Sequence, residues 1–399
     1  PGIMSPEPRK IGYAITFSAS PDKDISKWGL ALESTADEYM TGLFERTVDG
    51  AQRNSWVEGV TQAMNLNGQQ VQMSIKPTTS VYDTFFLSDK GYGLAVFTTW
   101  PGVVDFGHHT PGKTLVEFEG PTFPLRFYVS KSPAEMVKAH AMESGPPILP
   151  PKWAFSPWRW RDVHTHHPAY YDGTAVAAPY NSQVVEDILM MEAYGIPCSV
   201  YWLDRPWCVG GFGYDDMKWD EKRFPNPQRM VKWLESKNVK LLLWIAPWAM
   251  GDMHKVAREK GYNLAGQTGR NEDRSSIDFT NPEAKAWWQG SLRPRLEEGV
   301  AGFKLDRSEE LTPSSLEHKA FDGRTTREIR NDYPVQYVRA TYEISKKVRG
   351  NDFVLLPRAA YTGSSRYGVF WGGDVYSTEW GLRASIIAVQ RAAVLGFPY

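Results

Sequence analysis

The sequence predicts an α/β protein whose two parts differ in their pattern of strands and helices. Residues 1 to about 140 contain short stretches of alternating apolar and polar residues separated by Gly, Pro, Asp and Asn, which is typical of antiparallel strands. From about residue 150, candidate strands alternate with candidate helices, and this alternation indicates parallel βα units. We therefore expect an N-terminal antiparallel β-sandwich domain in residues 1–140 and a parallel, helix-covered sheet in residues 141–399.

The predicted elements follow one another along the chain. The N-terminal part has alternating stretches at 71–75 and 92–97, and its first helical pattern comes at 133–140. The candidate strands of the C-terminal part are 153–160, 198–204, 240–246, 301–306, 352–358 and 369–374. Its candidate helices are 182–194, 227–237, 282–297, 333–348 and 380–395. One helix start is especially clear, since Asn281 is a suitable N-cap and Pro282 suits the first helical position.

Composition narrows the classes of function. The chain has 399 residues and a formal net charge of −1 with acids and bases interspersed, which argues against nucleic-acid and anionic-membrane partners. No apolar run reaches the ~18 residues of a membrane span. Two cysteines are too few for a disulfide scaffold. We expect a soluble protein, cytoplasmic or secreted, because no signal peptide is visible but the chain starts at Pro1.

Two aspartates stand where candidate strands end. Asp306 follows the stretch 301–305, and Asp374 follows 369–373. Two carboxylates at strand ends, in a chain with 16 tryptophans, fit the hydrolysis of a glycosidic bond, in which one is nucleophile and the other acid/base. Each aspartate could instead cap a helix or pair with a basic residue in a loop. The segments around them favour the catalytic interpretation.

These segments form an ordered series through the C-terminal part. They are GPPILPPKWA (145–154), WLD (202–204), DEKRFPNP (220–227), LWIAP (243–247), DFTNP (278–282), WW (287–288), GFKLDRSE (302–309), RNDYP (330–334), RAAYTGSSRY (358–367) and WGGD (371–374). The series resembles glycoside hydrolase family 31, the retaining α-glycosidases. The resemblance implies a (β/α)8 TIM barrel after a β-sandwich domain, with the chemistry at the C-terminal ends of the barrel strands.

The resemblance also implies the catalytic roles. Asp306 matches the nucleophile, and Asp374 matches the acid/base. Lys304 lies two residues before Asp306, hence on the same face of the strand, where its charge would keep Asp306 ionised. We expect burial beside Trp371 and the charge of Asp306 to raise the pKa of Asp374. Retention implies carboxyl groups roughly 5–6 Å apart.

Further residues match the sugar-binding positions of the family. The expected substrate-binding set is Asp204, Trp244, Lys304, Arg358 and Trp371. Trp202 is equally compatible with a place in the core, and Arg366 would oppose the pKa shift of Asp374 if it came close.

Three histidines in four residues raise the alternative of a metal site. They are His164, His166 and His167, and we expect a solvated or pocket-rim loop there instead. The family needs no catalytic metal, and no cofactor is expected. Glu309 and Glu310 follow the nucleophile and are expected to orient it or cap the loop.

The match departs from the family pattern at places that bear on substrate choice. The segment Phe303 to Glu309 looks like the α-xylosidase side of the family, but Arg307 and Ser308 replace the usual Phe-Gly. The sugar therefore stays open between xylose, glucose, galactose, an N-acetylated sugar and sulfoquinovose. The expected partner is a glycoside or oligosaccharide, and homo-oligomerisation is left open.

Two alternatives accompany this prediction. An α-glucan lyase would use the same intermediate and then eliminate, and a non-catalytic carbohydrate-binding relative would only bind. The count of six candidate strands also leaves an eight-stranded barrel two strands short. We therefore expect the native chain to continue past Tyr399.

Overall fold

The computed structural model describes residues 3–19, 24–45, 64–75, 80–167, 179–264, 274–309, 318–375 and 377–399. Within these ranges the strands form two largely antiparallel sheets, one parallel sheet and one short hairpin. Glu310 lies outside the described residues.

The N-terminal part supplies all strands but one of the two largely antiparallel sheets. The larger contains β1 (Ile3–Arg9), β2 (Gly12–Ser18), β4 (Met40–Phe44), β6 (Ser80–Ser88), β7 (Tyr92–Val96), β10 (Thr122–Val129) and the short β18 (Ala359–Ala360). The smaller contains β3 (Lys27–Glu33), β5 (Gln70–Met73), β8 (Gly102–Phe106) and β9 (Lys113–Glu119). Every second residue of β9 is buried, because successive side chains of a strand point to opposite faces. Phe86 of the larger sheet and Val116 of the smaller belong to one hydrophobic cluster, so the buried faces share a core.

The C-terminal part is built on a five-stranded parallel sheet. Its strands, in spatial and chain order, are β11 (Trp158–Arg161), β12 (Val200–Leu203), β13 (Lys240–Ile245), β16 (Gly302–Leu305) and β17 (Val354–Pro357). The central β13 reads KLLLWI and is buried along nearly its whole length, as expected of a parallel strand covered on both faces. Gly302 opens β16 because a Cβ there would lie 1.8 Å from the carbonyl oxygen of Val354.

Helices connect these strands. They are α1 (Pro133–Ser144), α2 (Ser182–Ala193), α3 (Pro227–Ser236), α4 (Asp252–Glu259), α5 (Pro282–Glu297), α6 (Thr326–Ile329), α7 (Tyr333–Arg349) and α8 (Glu379–Val394). The predicted cap of α5 is confirmed, since the Asn281 side chain accepts from the amides of Glu283 and Ala284. No helix in the described ranges has the length and apolar character needed to cross a membrane.

One predicted strand of the C-terminal part is shorter than expected, and another is absent. Residues 152–155 form a short 3-10 helix, so the first parallel strand starts only at Trp158. The predicted strand 369–374 is absent. Val369 N donates to Leu355 O at 3.0 Å, but Phe370 N then donates to Pro398 O at 2.8 Å. The segment therefore leaves the sheet after one bond.

One hairpin of the structure was not predicted, because its two strands are distant in the chain. The hairpin of β14 (Trp248–Met250) and β15 (Arg274–Ser276) follows β13 and flanks α4.

The exposed side chains of Leu382 and Ile386 lie on α8. The expectation that two further strands complete a barrel stays a prediction.

Long-range contacts join the two parts of the chain. Strand β18 pairs in parallel with β6, which adds a C-terminal segment to an N-terminal sheet. The fully buried Asn331 donates to Met73 O at 3.1 Å and accepts from Ile75 N at 3.0 Å. The boundary expected near residue 140 is therefore crossed by backbone and side-chain hydrogen bonds.

We expect Asn331→Ala to lower the free energy of unfolding by about 2–4 kcal/mol, because it leaves two buried backbone groups without their partner. Urea unfolding followed by circular dichroism measures this change. Asn351→Ala is the matched control, since Asn351 is exposed, and it should change stability by less than about 0.5 kcal/mol. Equal effects of the two substitutions would contradict a joining role for Asn331.

Candidate active site

The ends of four neighbouring parallel strands bring the site together. Asp204 follows β12, Trp244 lies near the end of β13, Asp306 follows β16 and Arg358 follows β17. The sheet ladder holds the last two in place, because Asp306 N donates to Ile245 O at 2.9 Å and Arg358 N donates to Leu305 O at 3.0 Å. Since parallel strands end at one edge of a sheet, these side chains meet in one place.

Asp306 is the most heavily contacted carboxylate of this group. Trp244 Nε1 donates to Oδ2 at 2.8 Å, Arg358 Nη1 lies 2.8 Å from Oδ1, and Lys304 Nζ lies 3.5 Å from Oδ2. Burial alone would raise the pKa of Asp306. The charges of Lys304, Arg358 and Arg307 outweigh burial, and the hydrogen bond from Trp244 adds to them, so the pKa is held well below its usual range. The side chain is thus an ionised carboxylate, as a nucleophile requires.

Lys304 lies at the centre of the site. Its Nζ is 3.5 Å from Oδ2 of Asp204 and 3.5 Å from Oδ2 of Asp306. The rings of Trp371, Trp202 and Trp244 surround it, with centroids 4.5, 5.2 and 6.0 Å from Nζ. Each of these aromatic faces and both carboxylates stabilise the positive charge of the ammonium. Trp371 is the wall nearest to the ammonium.

Asp204 differs from Asp306 although both face the same ammonium. Burial is the main cause that raises the pKa of Asp204 to about 6, the charge of Lys304 opposes it and the charge of Asp306 adds to it. Within one site, Asp306 is therefore ionised throughout the neutral pH range, whereas Asp204 titrates near the lower limit of that range.

Glu309 is a site residue whose contact the sequence did not reveal. Arg307 and Ser308 adopt positive φ angles of 69° and 81°, which turn the chain back after Asp306. The buried Glu309 thereby reaches Nη2 of Arg358, while Nη1 of that arginine binds Asp306. Arg358, expected to bind substrate, bridges two carboxylates here. The only local signal for Glu309 was its position three residues after Asp306, which fits the orienting role expected of it.

The remaining predicted residues lie at different distances from this centre. Trp202 is half-buried and stacks on Trp160, with ring centroids 5.3 Å apart and planes 10° apart. It packs against the buried cluster that contains Val200 and also lies beside Lys304, so it belongs to both the core and the site. Arg366 donates to Ser144 O at 2.6 Å, at the end of α1. Asp374 is exposed in the loop that follows Trp371, so the burial expected for its carboxyl group is not found.

The histidine loop holds its first histidine inside the protein. His164 is buried, and its Nε2 lies 2.9 Å from the hydroxyl of Tyr201. Burial lowers the pKa of His164 to about 4. The expectation of a solvated loop is therefore wrong for His164. The described ranges contain no group of three or more His, Cys, Asp or Glu side chains arranged to hold a metal ion.

Comparison with known proteins places these features in a family. The family model described as "Glycosyl hydrolases family 31 TIM-barrel domain" matches residues 147–399. The chain is 27% identical to the α-xylosidase XylQ of Lactiplantibacillus pentosus, with 80% of this chain and 40% of that protein covered. It is 25% identical to an α-xylosidase of Emericella nidulans, with 98% of this chain and 49% of that protein covered. The chain thus spans less than half the length of these relatives.

Solved structures share the fold. A GH31 family sulfoquinovosidase from E. rectale in complex with an aza-sugar inhibitor superposes with a TM-score of 0.81 at 18% identity, covering 99% of this chain and 61% of that one. A GH31 α-xylosidase from a soil metagenome in complex with xylose gives a TM-score of 0.75 at 21% identity, covering 99% of this chain and 54% of that one. At these identities the likeness shows the fold alone.

The raised pKa of Asp204 predicts a pH dependence of stability. The folded protein holds this proton more tightly than the unfolded chain, so the contribution of Asp204 is fully present below an unfolded pKa of about 4 and is lost as the pH rises through about 6. We expect the free energy of unfolding of wild type, relative to Asp204→Asn, to fall between pH 4 and pH 7. Urea titrations at both ends measure it. The exposed Asp162→Asn serves as control, and a difference that rises with pH would contradict the assignment.

Proposed function

Because the chain belongs to glycoside hydrolase family 31, we propose that it carries the active site of a retaining glycosidase that removes terminal α-linked sugars. The single observation that carries this proposal is the environment of Asp306. An ionised carboxylate at a strand end, held by Trp244, Lys304 and Arg358, is prepared to attack an anomeric carbon.

The proposed reaction runs in two displacements. In the first, a carboxylate oxygen of Asp306 bonds to the anomeric carbon while the glycosidic carbon–oxygen bond breaks, and Asp374 gives its proton to the leaving oxygen. In the second, water attacks the anomeric carbon, Asp374 takes its proton, and the bond to Asp306 breaks. The result is a free sugar of retained configuration.

The position of Trp371 supports the role of Asp374. The Trp371 ring lies 4.5 Å from Lys304 Nζ, and the same ammonium is 3.5 Å from Asp306. Asp374 follows three residues later, so its loop starts beside the nucleophile. Its exposed position leaves the carboxyl group accessible to the water that attacks in the second displacement.

The proposed sugar-binding set is Asp204, Trp244, Lys304, Arg358 and Trp371. Asp204 and Lys304 present polar groups at the strand ends, and the partly exposed Trp371 presents its ring beside the same ammonium. Trp244 is fully buried and supports the set through its hydrogen bond to Asp306. Two relatives named α-xylosidases point to an α-xyloside or a related α-glycoside as the substrate class.

We propose further that the N-terminal sheets form a β-sandwich domain and that the parallel strands belong to a (β/α)8 barrel.

A panel of 4-nitrophenyl α-glycosides tests the proposed function on the protein in its natural full length. We expect release of nitrophenolate from the xyloside or the glucoside, and proton NMR should show the α-anomer as the first product, because two displacements restore the configuration. A first product of β configuration would contradict retention. An unsaturated sugar would indicate the lyase alternative, and binding of substrate with no turnover would indicate a non-catalytic relative.

The two aspartates should respond differently to removal. Asp306→Ala should lower turnover by at least about a thousandfold for every leaving group, because no covalent intermediate forms. Asp374→Ala should slow poor leaving groups most, since only those need protonation, and added azide should then give a glycosyl azide of retained configuration. Initial rates and product NMR measure both effects. Asp252→Ala, on the exposed surface of α4, is the control, and near-normal activity of both variants would refute the assignment.

A further inference from the structure

Three arginines outside the predicted site lie on one aromatic surface beside it. The guanidinium carbon of Arg205 is 4.1 Å from the centroid of Phe212. That of Arg274 is 5.0 Å from the centroid of Phe212 and 4.6 Å from that of Trp248. That of Arg307 is 5.5 Å from the centroid of Trp248. We call Arg205, Arg274 and Arg307 the arginine cluster.

This aromatic surface is continuous with the nucleophile. The ring centroids of Phe212 and Trp248 lie 6.1 Å apart, and they lie 6.3 and 6.5 Å from the centroid of Trp244. Trp244 donates to Asp306 at 2.8 Å. Arg307 is the residue next to Asp306, with Nε 3.9 Å from Oδ2. The arginine cluster therefore lies on aromatic residues that contact Trp244, the tryptophan that donates to Asp306.

Three separate chain segments build the cluster. Arg205 comes directly after Asp204, Arg274 opens β15, and Arg307 follows the nucleophile. Like charges repel, so their convergence on two rings has an electrostatic cost that the cation–π contacts and neighbouring acids must offset. Arg205 is exposed and Arg274 and Arg307 are half-buried, so all three side chains are at least partly accessible to solvent.

Guanidinium groups in this arrangement suit one class of ligand. A guanidinium keeps five N–H donors in its own plane, and the fork they form matches the oxygens of a carboxylate, sulfonate, sulfate or phosphate. A neutral sugar hydroxyl can accept from a guanidinium but lacks the negative charge and the paired oxygens of an oxyanion, so it makes a weaker match. The positive charge of each guanidinium also favours an anionic group over a neutral one.

We propose that the arginine cluster is a subsite for an anionic group carried by the glycoside, either on the sugar ring or on the leaving group. The proposal rests on the proposed glycosidase function and deepens it by assigning the charge of the substrate. In both cases the glycoside carries an oxyanion. We propose that Arg205 and Arg274 bind this oxyanion while the anomeric carbon faces Asp306.

The experiment compares matched pairs of neutral and anionic probes. The ring arm uses 4-nitrophenyl α-glucoside against 4-nitrophenyl α-glucuronide, and 1-deoxynojirimycin against its C6-carboxylate analogue in calorimetric binding. The leaving-group arm uses 4-nitrophenyl α-xyloside against the same glycoside with a carboxylate on the phenyl ring. Each measurement is repeated with Arg205→Gln, Arg274→Gln and the control Arg383→Gln, whose side chain is 68% exposed on α8.

We expect the anionic member of one pair to be preferred by at least about tenfold, which corresponds to about 1.4 kcal/mol. Arg205→Gln and Arg274→Gln should remove most of that preference, and Arg383→Gln should not. The preference should also fall with added salt. The arm that shows it identifies which part of the glycoside carries the anion.

The outcomes separate this inference from the proposed function. Binding or turnover of neutral probes with no anionic preference in either arm overturns the subsite and leaves the glycosidase function standing. An anionic preference that both arginine variants retain overturns the assignment to this cluster. Failure to bind or turn over any probe refutes the proposed function, and the subsite falls with it.

Discussion

The buried charges at the strand ends constrain everything around them. Asp306 is shared between Lys304 and Arg358, and each of these cations also contacts a second carboxylate, Asp204 or Glu309. A charge buried without a partner costs several kcal/mol, whereas a matched set recovers most of that cost. Removing one member therefore leaves an uncompensated charge in the interior. The fold must hold all five side chains in register for the site to be stable.

The parallel sheet satisfies this requirement by geometry. Leu243 pairs with Phe303, and Phe303 pairs with Leu355, so the residues just beyond them emerge at the same edge. Trp244 and Lys304 are direct register partners. A slip of one residue in either strand would turn these side chains to the opposite face. The nearly continuous burial of β13 and β16 fixes the register by packing, and the site depends on that packing.

The pKa values of Asp306 and Asp204 are shifted in opposite directions. Asp306 receives a tryptophan N–H and the positive charge of three basic residues, whereas burial dominates at Asp204. Aromatic residues contribute to both environments, because their rings exclude water and Trp244 also donates a hydrogen bond to Asp306. The ring faces also bind cations. Lys304 in the centre of the site and the arginine cluster beside it both make cation–π contacts with neighbouring rings.

The sequence by itself determined the features that depend on near neighbours. The cap at Asn281, the major helices and the four strands that end at the site were predictable because periodicity, capping and apolar runs act over a few residues. The family could also be predicted, since its ordered segments from 145 to 374 survive in this chain.

Only the tertiary structure decided which distant groups meet. Phe370 could pair with the sheet or with Pro398, and nothing local states that it takes the latter. The contact of Glu309 with Arg358 depends on the positive φ angles of Arg307 and Ser308, which lie between Asp306 and Glu309. The exposure of Asp374 and the gathering of Arg205, Arg274 and Arg307 depend on how loops from separate strands pack. These outcomes are sums of many weak long-range contacts, and the one-dimensional pattern of residues does not record such sums.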